Sequence, residues 1–358
     1  MKIDKILDSA IKGERISCSD ALTLYKEAPL SFLSQASSEI KRAKTGNDVF
    51  YNINFHIEPT NICIFKCKFC SYRKPATSPE AWDYSLEEIF EQAKAQQDKN
   101  VTEVHIVGGV HPEHDLYYYA KMISGIKEIL PKVTIKAFSA IELAYMIEQA
   151  NLSYSEGLQL LKNAGMQTLP GGGAEIFDEE IRAQICPDKG STKQWLELHE
   201  SAHRLDISTN ATMLYGHIES IEHRIDHLNR LRELQDKTQG FNAFIPLKYR
   251  NFGNELSSRG EVSITEDMRM IAISRIFLDN FNHIKAYWPM FGKTTTELAL
   301  AFGADDIDGT IDDSTKIYSM AGAEDTKPSM SVSDIKRIIE NAGYKAVERD
   351  SFYNPIIR

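Results

Sequence analysis

The sequence has no excess of positive charge. Lys and Arg total 41 against 51 Asp and Glu, so the formal net charge is −10. A protein that binds nucleic acid usually carries a basic excess, because it neutralises phosphates, so we expect neither RNA nor DNA as a partner. The local basic group Lys66, Lys68, Arg73 and Lys74 is expected to be mainly a solvated loop. The alternative is that it attracts an anionic ligand or a reductant.

Long apolar runs are also missing. No 18-residue apolar span occurs, so the sequence predicts no transmembrane helix. Residues 1–16 mix acidic with basic residues and lack the apolar stretch of a secretory signal. Since 42% of the residues are hydrophobic and 26% are charged, the chain has ample material for a core. We therefore predict a globular protein of the cytoplasm.

Cysteine is scarce, and its distribution is uneven. Five occur, an odd number, and Cys63, Cys67 and Cys70 share one segment with the spacing C-x3-C-x2-C. This pattern argues against a disulfide framework and for a reducing compartment. The two remaining cysteines, Cys18 and Cys186, are distant in sequence and have no neighbouring metal-binding residue. We expect both to be ordinary buried side chains.

Three clustered thiolates indicate a soft metal, either zinc or the iron of an iron–sulfur cluster. A structural zinc site takes four protein ligands, whereas this segment offers three and no histidine follows closely. A [4Fe–4S] cluster usually takes one cysteine for each iron, so three cysteines leave one iron open. An open coordination position is typical of a site that binds a substrate.

Eight short apolar or β-branched segments alternate with amphipathic helical segments. The predicted strands are 52–59, 103–109, 133–140, 166–173, 207–216, 240–247, 283–290 and 305–311. The predicted helices are 85–97, 116–130, 153–165, 191–205, 223–235, 265–277, 294–303 and 331–343. Strands that alternate with helices of 10–15 residues favour parallel βαβ units, and eight of them predict a (β/α)8 TIM-type barrel.

The chain is predicted to have two parts. Residues 1–48 read as an N-terminal helical extension, because apolar residues recur there at helical spacing. Residues 49–358 read as the barrel with a C-terminal tail, and the tail, 344–358, is expected to be an extended segment packed on the outside. Since barrel strands lead into the active site at their carboxyl ends, the cysteine loop after the first strand is expected there.

The cysteine loop, with Phe69 directly before its last cysteine, resembles the motif of the radical S-adenosylmethionine (SAM) superfamily. The resemblance implies that Cys63, Cys67 and Cys70 hold a [4Fe–4S] cluster whose open iron binds SAM. It further implies that the reduced cluster cleaves SAM to a 5′-deoxyadenosyl radical. A structural metal loop in a protein of another class is the alternative.

Other strand ends fit the same resemblance. Gly108 and Gly109 look like the superfamily's glycine pair beside the methionyl amino group of SAM, although a plain βα turn is the alternative. Glu175, in PGGGAEIF, stands where similar enzymes place an acid that binds the ribose hydroxyls; otherwise it is an acid at a helix N-terminus. Further candidates for cofactor contact are Tyr72, Ser139 and Met213.

Longer stretches resemble the menaquinone and deazaflavin branch of the superfamily. These are HIEPTNICIFKCKFCSYRK, GGVHP, GGGAEIF, ATMLYGHIE and GADDIDGTI. The branch includes aminofutalosine synthases, dehypoxanthine futalosine cyclases and the two-subunit deazaflavin-forming synthase, which needs tyrosine and a partner chain. The stretch GADDIDGTI, 303–311, resembles the aminofutalosine synthases, and the other two activities are the alternatives.

This resemblance implies a small-molecule substrate, 3-[(1-carboxyvinyl)oxy]benzoate, to which the adenosyl radical adds. It implies a low-potential electron donor such as flavodoxin or ferredoxin. Residues 1–48 are expected either to cover the barrel base or to form a homodimer face. A dicarboxylate needs cations or strong donors. The candidate catalytic residues are His217, Asp308 and Arg250. Other suitable side chains at strand ends are His56, Glu58, Lys248, Tyr287 and Trp288.

Overall fold

Eight parallel strands follow one another around a curled sheet in the computed structural model, which describes residues 2–358. They are β1 Asp48–Ile57, β2 Glu103–Ile106, β3 Thr134–Ala137, β4 Met166–Leu169, β5 Ser208–Tyr215, β6 Phe241–Lys248, β7 His283–Ile284 and β8 Asp306–Ile311. Neighbouring strands pair in sequence order from β1 to β7, and β8 pairs with β1. Each of the eight lies within or overlaps a predicted strand.

The ring of strands closes between β7 and β8. Lys285, directly after β7, forms a parallel bridge with Asp306. The Ala286 amide donates to the Asp306 carbonyl at 2.8 Å, and the Asp305 amide donates to the Ile284 carbonyl at 3.0 Å. The predicted (β/α)8 barrel is therefore confirmed.

Helices surround this barrel. They are α1 Lys2–Ile11, α2 Cys18–Glu27, α3 Leu30–Thr45, α4 Leu86–Lys94, α5 Leu116–Ile129, α6 Ala140–Gln149, α7 Tyr154–Ala164, α8 Glu179–Ile185, α9 Thr192–Arg204, α10 Ile221–Thr238, α11 Ile264–Phe277, α12 Trp288–Phe291, α13 Lys293–Leu300, α14 Ile317–Met320 and α15 Val332–Asn341. Short-range signals fix many of their starts. The serine that precedes α2, α4, α6, α7, α9 and α10 forms a reciprocal capping box with the third helical residue.

Four helices, α6, α8, α12 and α14, were not predicted, and one predicted strand is reduced to two residues. Helices α6 and α8 occupy stretches that the periodicity left as loops. The predicted strand 283–290 ends at Ile284, because Pro289 stands in the first turn of α12, where its ring fits and its missing N–H costs nothing. Trp288 therefore lies in a helix, and its indole N–H donates to the Gly309 carbonyl at 2.8 Å.

The C-terminal tail is partly extended, as predicted, but it closes one end of the barrel instead of packing on its outer side. Strand β9, Lys345–Glu348, pairs with the first residues of β1, and the chain then turns under the barrel. Arg349 is 1% exposed and donates to Asp306 Oδ2 at 2.6 Å, while Ser351 donates to Glu103 Oε2 at 2.7 Å. The tail thus covers the amino-terminal end of the barrel.

The N-terminal segment consists of α1, α2 and α3, and these pack on the outer helices. Tyr25 of α2 donates to Glu266 of α11 at 2.7 Å, and Arg15 pairs with Asp236 of α10 at 2.5 Å. Strand β1 begins at Asp48, and the division into two domains at residues 48 and 49 stays a prediction. Within residues 2–358, no helix is long and apolar enough to cross a membrane.

Side chains alternate across each barrel strand, and this decides what the interior contains. In β1, Phe55 and Ile57 join the apolar core, whereas His56 lines the interior cavity. In β2, Val104 and Ile106 likewise belong to the core, and His105 lines the cavity. These strands therefore place an apolar layer under the helices and polar side chains on part of the barrel interior.

Candidate functional site

The three clustered cysteines lie together at the carboxyl end of β1. All are free thiols, and Cys63, Cys67 and Cys70 line one small cavity of about 100 Å³. Two backbone hydrogen bonds hold their loop: the Ile64 amide donates to Val110 at 3.0 Å, and the Lys68 amide donates to Ile185 at 2.8 Å. Three thiols around one cavity suit an iron–sulfur cluster as its donors.

Burial raises the pKa of the Cys67 and Cys70 thiols. The charge of Lys189 opposes this rise in the pKa of Cys67, and backbone N–H groups of Arg73 and Tyr72 oppose it for Cys70. Metal binding therefore has to displace protons from these thiols. Cys186 is 2% exposed and does not line the cavity.

Gly108 and Gly109 hold the cysteine loop in place. A Cβ atom built on Gly109 would lie 2.1 Å from the Ile62 carbonyl oxygen, and one on Gly108 would lie 2.8 Å from that of Thr60. The Gly109 amide donates to Thr60 at 2.7 Å. Both positions exclude a side chain because backbone meets backbone here. Their amide hydrogens are used, which leaves the carbonyl oxygens as the groups that could accept from an ammonium.

The structure adds Glu142, in the first turn of α6, which sequence reasoning missed. Its carboxylate accepts from the amides of Gly108 at 3.0 Å and Ser139 at 2.8 Å. Burial raises the pKa of Glu142 to about 7, although these hydrogen bonds oppose the rise. The signal was present in the sequence, because Ser139 and Glu142 have the S-x-x-E spacing of a capping box.

Glu175 forms a buried ion pair with Lys189, a residue that was not predicted to belong to the site. Glu175 Oε1 lies 2.5 Å from Lys189 Nζ, with side chains 9% and 14% exposed. Burial by itself would lower the pKa of Lys189, but the Glu175 carboxylate outweighs it and the pKa is raised. Lys189 also lies over the Phe69 ring at 5.7 Å, so this pair adjoins the cysteine loop.

The other predicted cofactor contacts fall in different places. Tyr72 and Ser139 line the cysteine cavity, and the Tyr72 hydroxyl donates to the Thr60 carbonyl at 3.2 Å. Met213 lies away from it. Its neighbours Thr212 and Leu214 line the barrel cavity, so strand alternation turns Met213, fully buried, toward the helices.

A larger cavity of about 300 Å³ continues from the cysteine loop into the barrel. Cys70, Gly108 and Ser139 line both cavities, so the two spaces adjoin. Tyr287 and Tyr318 form part of its wall, with ring centroids 5.3 Å apart. This arrangement can place a small molecule beside a group held by the cysteines.

Asp308 lies in this cavity and carries a stable negative charge. Its Oδ2 accepts from Lys285 at 2.6 Å, and its Oδ1 accepts from Asn54 at 2.8 Å. Burial alone would raise the pKa of Asp308, but the Lys285 ammonium outweighs it and holds the pKa well below its ordinary value. Asp308 is therefore a hydrogen-bond acceptor and a poor proton acceptor.

Of the other two candidate catalytic residues, Arg250 lines the cavity and His217 does not. Arg250 donates to the Gly322 carbonyl at 2.7 Å, while its Nε is buried without a protein partner. His217 has Nε2 3.2 Å from the Leu214 carbonyl and Nδ1 3.2 Å from Glu219. Both ring nitrogens face neighbouring loop atoms, and burial lowers the pKa of His217.

The remaining side chains of the barrel interior include ionisable groups that were not predicted to lie in the site. They are Glu103, His105, Lys136 and Lys285. Lys136 and Lys285 each stand inside a strand segment that otherwise reads as apolar or β-branched, VTIKAFSA and HIKAYWPM. A lone lysine in such a buried strand was the available signal, because a buried charge needs a partner.

A second group of polar side chains lies near the mouth of the barrel. The ligand atoms of Asp83, His111 and His114 all lie within 4.8 Å of one another. However, His111 Nδ1 accepts from the Glu113 amide at 3.2 Å, so the proton of a neutral His111 ring stays on Nε2, which faces Asp83. A nitrogen that carries a proton cannot bind a metal, so this group reads as a hydrogen-bonded cluster.

Two family models match the chain. The model described as the radical SAM superfamily matches residues 57–231, and the one described as the CofH/MqnC C-terminal region matches residues 238–356. Together they cover the chain from the end of β1 to the tail, including the cysteine loop.

Known relatives are similar over nearly the whole chain. Aminodeoxyfutalosine synthase of Thermus thermophilus is 39% identical over 98% of this chain and 95% of its own. A 5-amino-6-(D-ribitylamino)uracil–L-tyrosine 4-hydroxyphenyl transferase of Methanoculleus marisnigri is 36% identical over 98% and 96%. Cyclic dehypoxanthine futalosine synthase of Streptomyces coelicolor is 35% identical over 99% and 89%.

Among solved structures, methylornithine synthase superposes with a TM-score of 0.76 at 19% identity, over 95% of this chain and 97% of that one. At this identity the likeness concerns the fold, and it supports the barrel architecture described above.

Proposed function

Because this chain belongs to the radical SAM superfamily, in the group with the CofH/MqnC C-terminal region, we propose that it acts as an aminodeoxyfutalosine synthase. The reaction joins the 5′-deoxyadenosyl group of SAM to the vinyl carbon of 3-[(1-carboxyvinyl)oxy]benzoate. Methionine and carbon dioxide leave, and 6-amino-6-deoxyfutalosine is the product. The observation that carries this choice within the group is the 39% identity to the Thermus thermophilus enzyme over 98% of the chain.

Enzymes of this superfamily use a [4Fe–4S] cluster and SAM, which together supply the adenosyl radical when bound. We assign Cys63, Cys67 and Cys70 to the cluster, because they are free thiols on one cavity. Three thiolates leave the fourth iron for SAM. This need for an open position is the reason that the loop has three cysteines.

The SAM site that we propose lies between the cysteine loop and the next strand ends. The carbonyl oxygens of Gly108 and Gly109 are suited to an ammonium group, and Glu175 is suited to ribose hydroxyls as an acceptor. Ser139 and Tyr72 complete the wall toward the cysteines. Met213 has no part in this proposal, because it does not line either cavity.

The substrate site that we propose is the larger cavity. Arg250 is suited to a carboxylate, because its buried Nε has no protein partner. Asp308 is suited to orienting the substrate through hydrogen bonds rather than to accepting a proton. Tyr287 and Tyr318 line the same cavity, and their rings help to keep water from a radical. Positioning of this kind is the main demand of a radical addition.

We also propose a low-potential electron donor such as flavodoxin or ferredoxin, and the cytoplasm as the place of the reaction. Lys66 is exposed beside the cysteine loop, and Lys68 and Arg73 are half-buried there, so the rim offers cations to an acidic protein donor. A homodimer through the N-terminal helices α1 to α3 remains part of the proposal.

One anaerobic assay tests the proposed function. The cluster is reconstituted, SAM, dithionite and 3-[(1-carboxyvinyl)oxy]benzoate are added, and the products are followed by mass spectrometry. The synthase predicts an adenosine adduct of the decarboxylated substrate, together with methionine. Free 5′-deoxyadenosine without an adduct would instead favour the hydrogen-abstracting chemistry of a futalosine cyclase, and a fully loaded enzyme that leaves SAM intact would contradict both.

A further inference from the structure

The deep end of the barrel cavity is lined by charged and imidazole side chains. Small (β/α)8 barrels usually fill this space with branched aliphatic residues. Here β1, β2, β3 and β8, and the residue after β7, contribute polar groups that line the cavity. We call them the barrel floor: His56, Glu103, His105, Lys136, Lys285 and Asp308.

The two floor lysines have hydrogen-bonding capacity left over. Lys136 Nζ lies 2.5 Å from Glu103 Oε2, and Lys285 Nζ lies 2.6 Å from Asp308 Oδ2. Their side chains are 4% and 2% exposed. An ammonium group has three N–H donors, and each of these ammonium groups has one carboxylate oxygen within 3 Å among the described residues. The remaining donors are suited to a further acceptor in the cavity.

The two histidines of the barrel floor, His56 and His105, also have hydrogen-bonding capacity left over. Their rings pack edge to face, with centroids 4.5 Å apart. Neither nitrogen of His56 has a hydrogen-bond partner within residues 2–358, and neither does Nε2 of His105. His56 is 3% exposed. A neutral imidazole always has one N–H donor, and a buried donor without an acceptor is unfavourable, so these rings are suited to a bound ligand.

The balance of charge indicates what kind of ligand fits. Three carboxylates, Glu103, Asp306 and Asp308, face three cations, Lys136, Lys285 and Arg349. Each of the three carboxylates is already in contact with a cation, whereas N–H donors are left over. A ligand that only accepts hydrogen bonds completes this set, and an ionised carboxylate is such a ligand, with two oxygens and about four lone-pair sites.

The position of the floor decides which carboxylate of the substrate it meets, and this step rests on the proposed function. The vinyl group has to face the cysteine end of the cavity, where Cys70 and Gly108 lie. The benzoate ring then points away from the cysteines, into the barrel. We infer that the barrel floor, through Lys136, Lys285, His56 and His105, binds the carboxylate of the substrate's benzoate ring.

The first test compares small ligands on the reconstituted enzyme with SAM and without reductant, by isothermal titration calorimetry. The probes are 3-hydroxybenzoate, 3-hydroxybenzamide and 2-phenoxyacrylate, which carries only the carboxylate beside the vinyl group. The inference predicts that 3-hydroxybenzoate binds at least tenfold more tightly than the benzamide. Equal affinity of these two probes would overturn it, and this comparison needs no variant.

The second test uses two floor variants. His105→Phe keeps a ring in place, and the double variant Glu103→Gln/Lys136→Met removes an ion pair without leaving one charge alone. Each variant is expected to weaken the binding of 3-hydroxybenzoate at least tenfold and to leave the binding of 2-phenoxyacrylate unchanged. Lys41→Met is the matched control, because Lys41 is equally buried but donates to the Gly46 and Asp48 carbonyls outside the cavity. It should bind both probes as the unaltered enzyme does.

Two outcomes separate this inference from the proposed function. Suppose that the adduct forms in the product assay, but that the floor variants weaken the binding of 2-phenoxyacrylate and not that of 3-hydroxybenzoate. The proposed reaction is then right and the inference is wrong. If no adduct forms while the floor still selects 3-hydroxybenzoate over the benzamide, the inference stands for an aromatic acid and the proposed reaction is wrong.

Discussion

The amide of Gly108 donates a 3.0 Å hydrogen bond to the carboxylate of Glu142. This contact ties the end of β2 to the start of α6, and the same carboxylate accepts from the Ser139 amide. Gly108 and Ser139 are both proposed to contact SAM, so one buried carboxylate positions backbone from two neighbouring strand ends. Burial raises the pKa of Glu142 to about 7, so this carboxyl group changes its protonation state near neutral pH.

Glu142→Gln is expected to change how stability depends on pH. The ordinary pKa of this group is 4.5, so the folded state retains a proton that the unfolded state releases between about pH 4.5 and 7. Stability from this group therefore falls as the pH rises through that window. Gln cannot ionise, so the variant does not share this loss. Its free energy of unfolding, relative to that of the unaltered protein, should rise by up to roughly 3 kcal/mol from pH 5 to pH 8.

Urea unfolding at pH 5 and pH 8 measures this gain. Glu87→Gln, at an exposed position of α4, is the matched control and should show no comparable gain. A difference between Glu142→Gln and the unaltered protein that stays constant across the two pH values would contradict the prediction.

We expect the iron–sulfur cluster to require the three cysteines of the loop and not to require Cys186. Serine at Cys63, Cys67 or Cys70 removes a thiolate donor, so the purified protein should lose most of its iron, sulfide and visible absorption. Cys186→Ser changes a buried thiol that does not line the cavity, and it should keep all three. Iron and sulfide analysis after anaerobic reconstitution is the measurement. Loss of the cluster in Cys186→Ser would show that this cysteine takes part.

Gly109→Ala should damage the cysteine loop although it adds one methyl group. The new Cβ would lie 2.1 Å from the Ile62 carbonyl oxygen, so backbone has to move. The loop that carries the thiols is then displaced, and cluster incorporation should fall severalfold. Gly172→Ala is the control. Its new Cβ would lie 3.4 Å from Ser139 Cβ, which is an ordinary contact, so this variant should incorporate the cluster fully. Equal iron content in the two variants would count against the prediction.

The pair of Glu175 and Lys189 should show strong coupling. Lys189→Met leaves a buried carboxylate without its cation, which costs about 3–5 kcal/mol in comparable pairs. The double variant Glu175→Gln/Lys189→Met should recover much of that loss. Lys193→Met is the control: Lys193 is 80% exposed and lies 3.7 Å from Glu197, so its loss should cost less than about 1 kcal/mol.

Denaturant unfolding of the unaltered protein, the single variants Glu175→Gln and Lys189→Met, and the double variant, all without the cluster, gives the coupling free energy. If the losses of stability in the two single variants add up to the loss in the double variant, the two side chains act independently, and the ion pair contributes nothing of its own.

Much of the fold was predictable because its signals are local. Alternation of strand and helix segments indicated the barrel, and serine capping signals such as Ser139 with Glu142 depend on residues three positions apart. The missed helices α6 and α8 and the shortened β7 show where local signals fail. Pro289 fits both a turn after a strand and the first turn of a helix, and only the packing of Trp288 against Gly309 decides between them.

The sequence by itself determined the cysteine loop, because three ligands within eight residues can meet at one cluster whatever the rest of the chain does. It also placed that loop after the first strand, and hence at the mouth of the barrel. Gly108, Gly109 and Glu175 were singled out through short motifs that resemble those of the superfamily, and their contacts with SAM stay a prediction.

Only the tertiary structure decided the contents of the barrel interior. Lys136 meets Glu103, and Lys285 meets Asp308, because the register of neighbouring strands brings together residues that are far apart in the chain. The same register placed Met213 on the outer face, and chain reversal after β9 brought Arg349 under the barrel. Contacts of this kind depend on how whole strands align and on the cost of leaving a buried charge unpaired, which no short segment of sequence specifies.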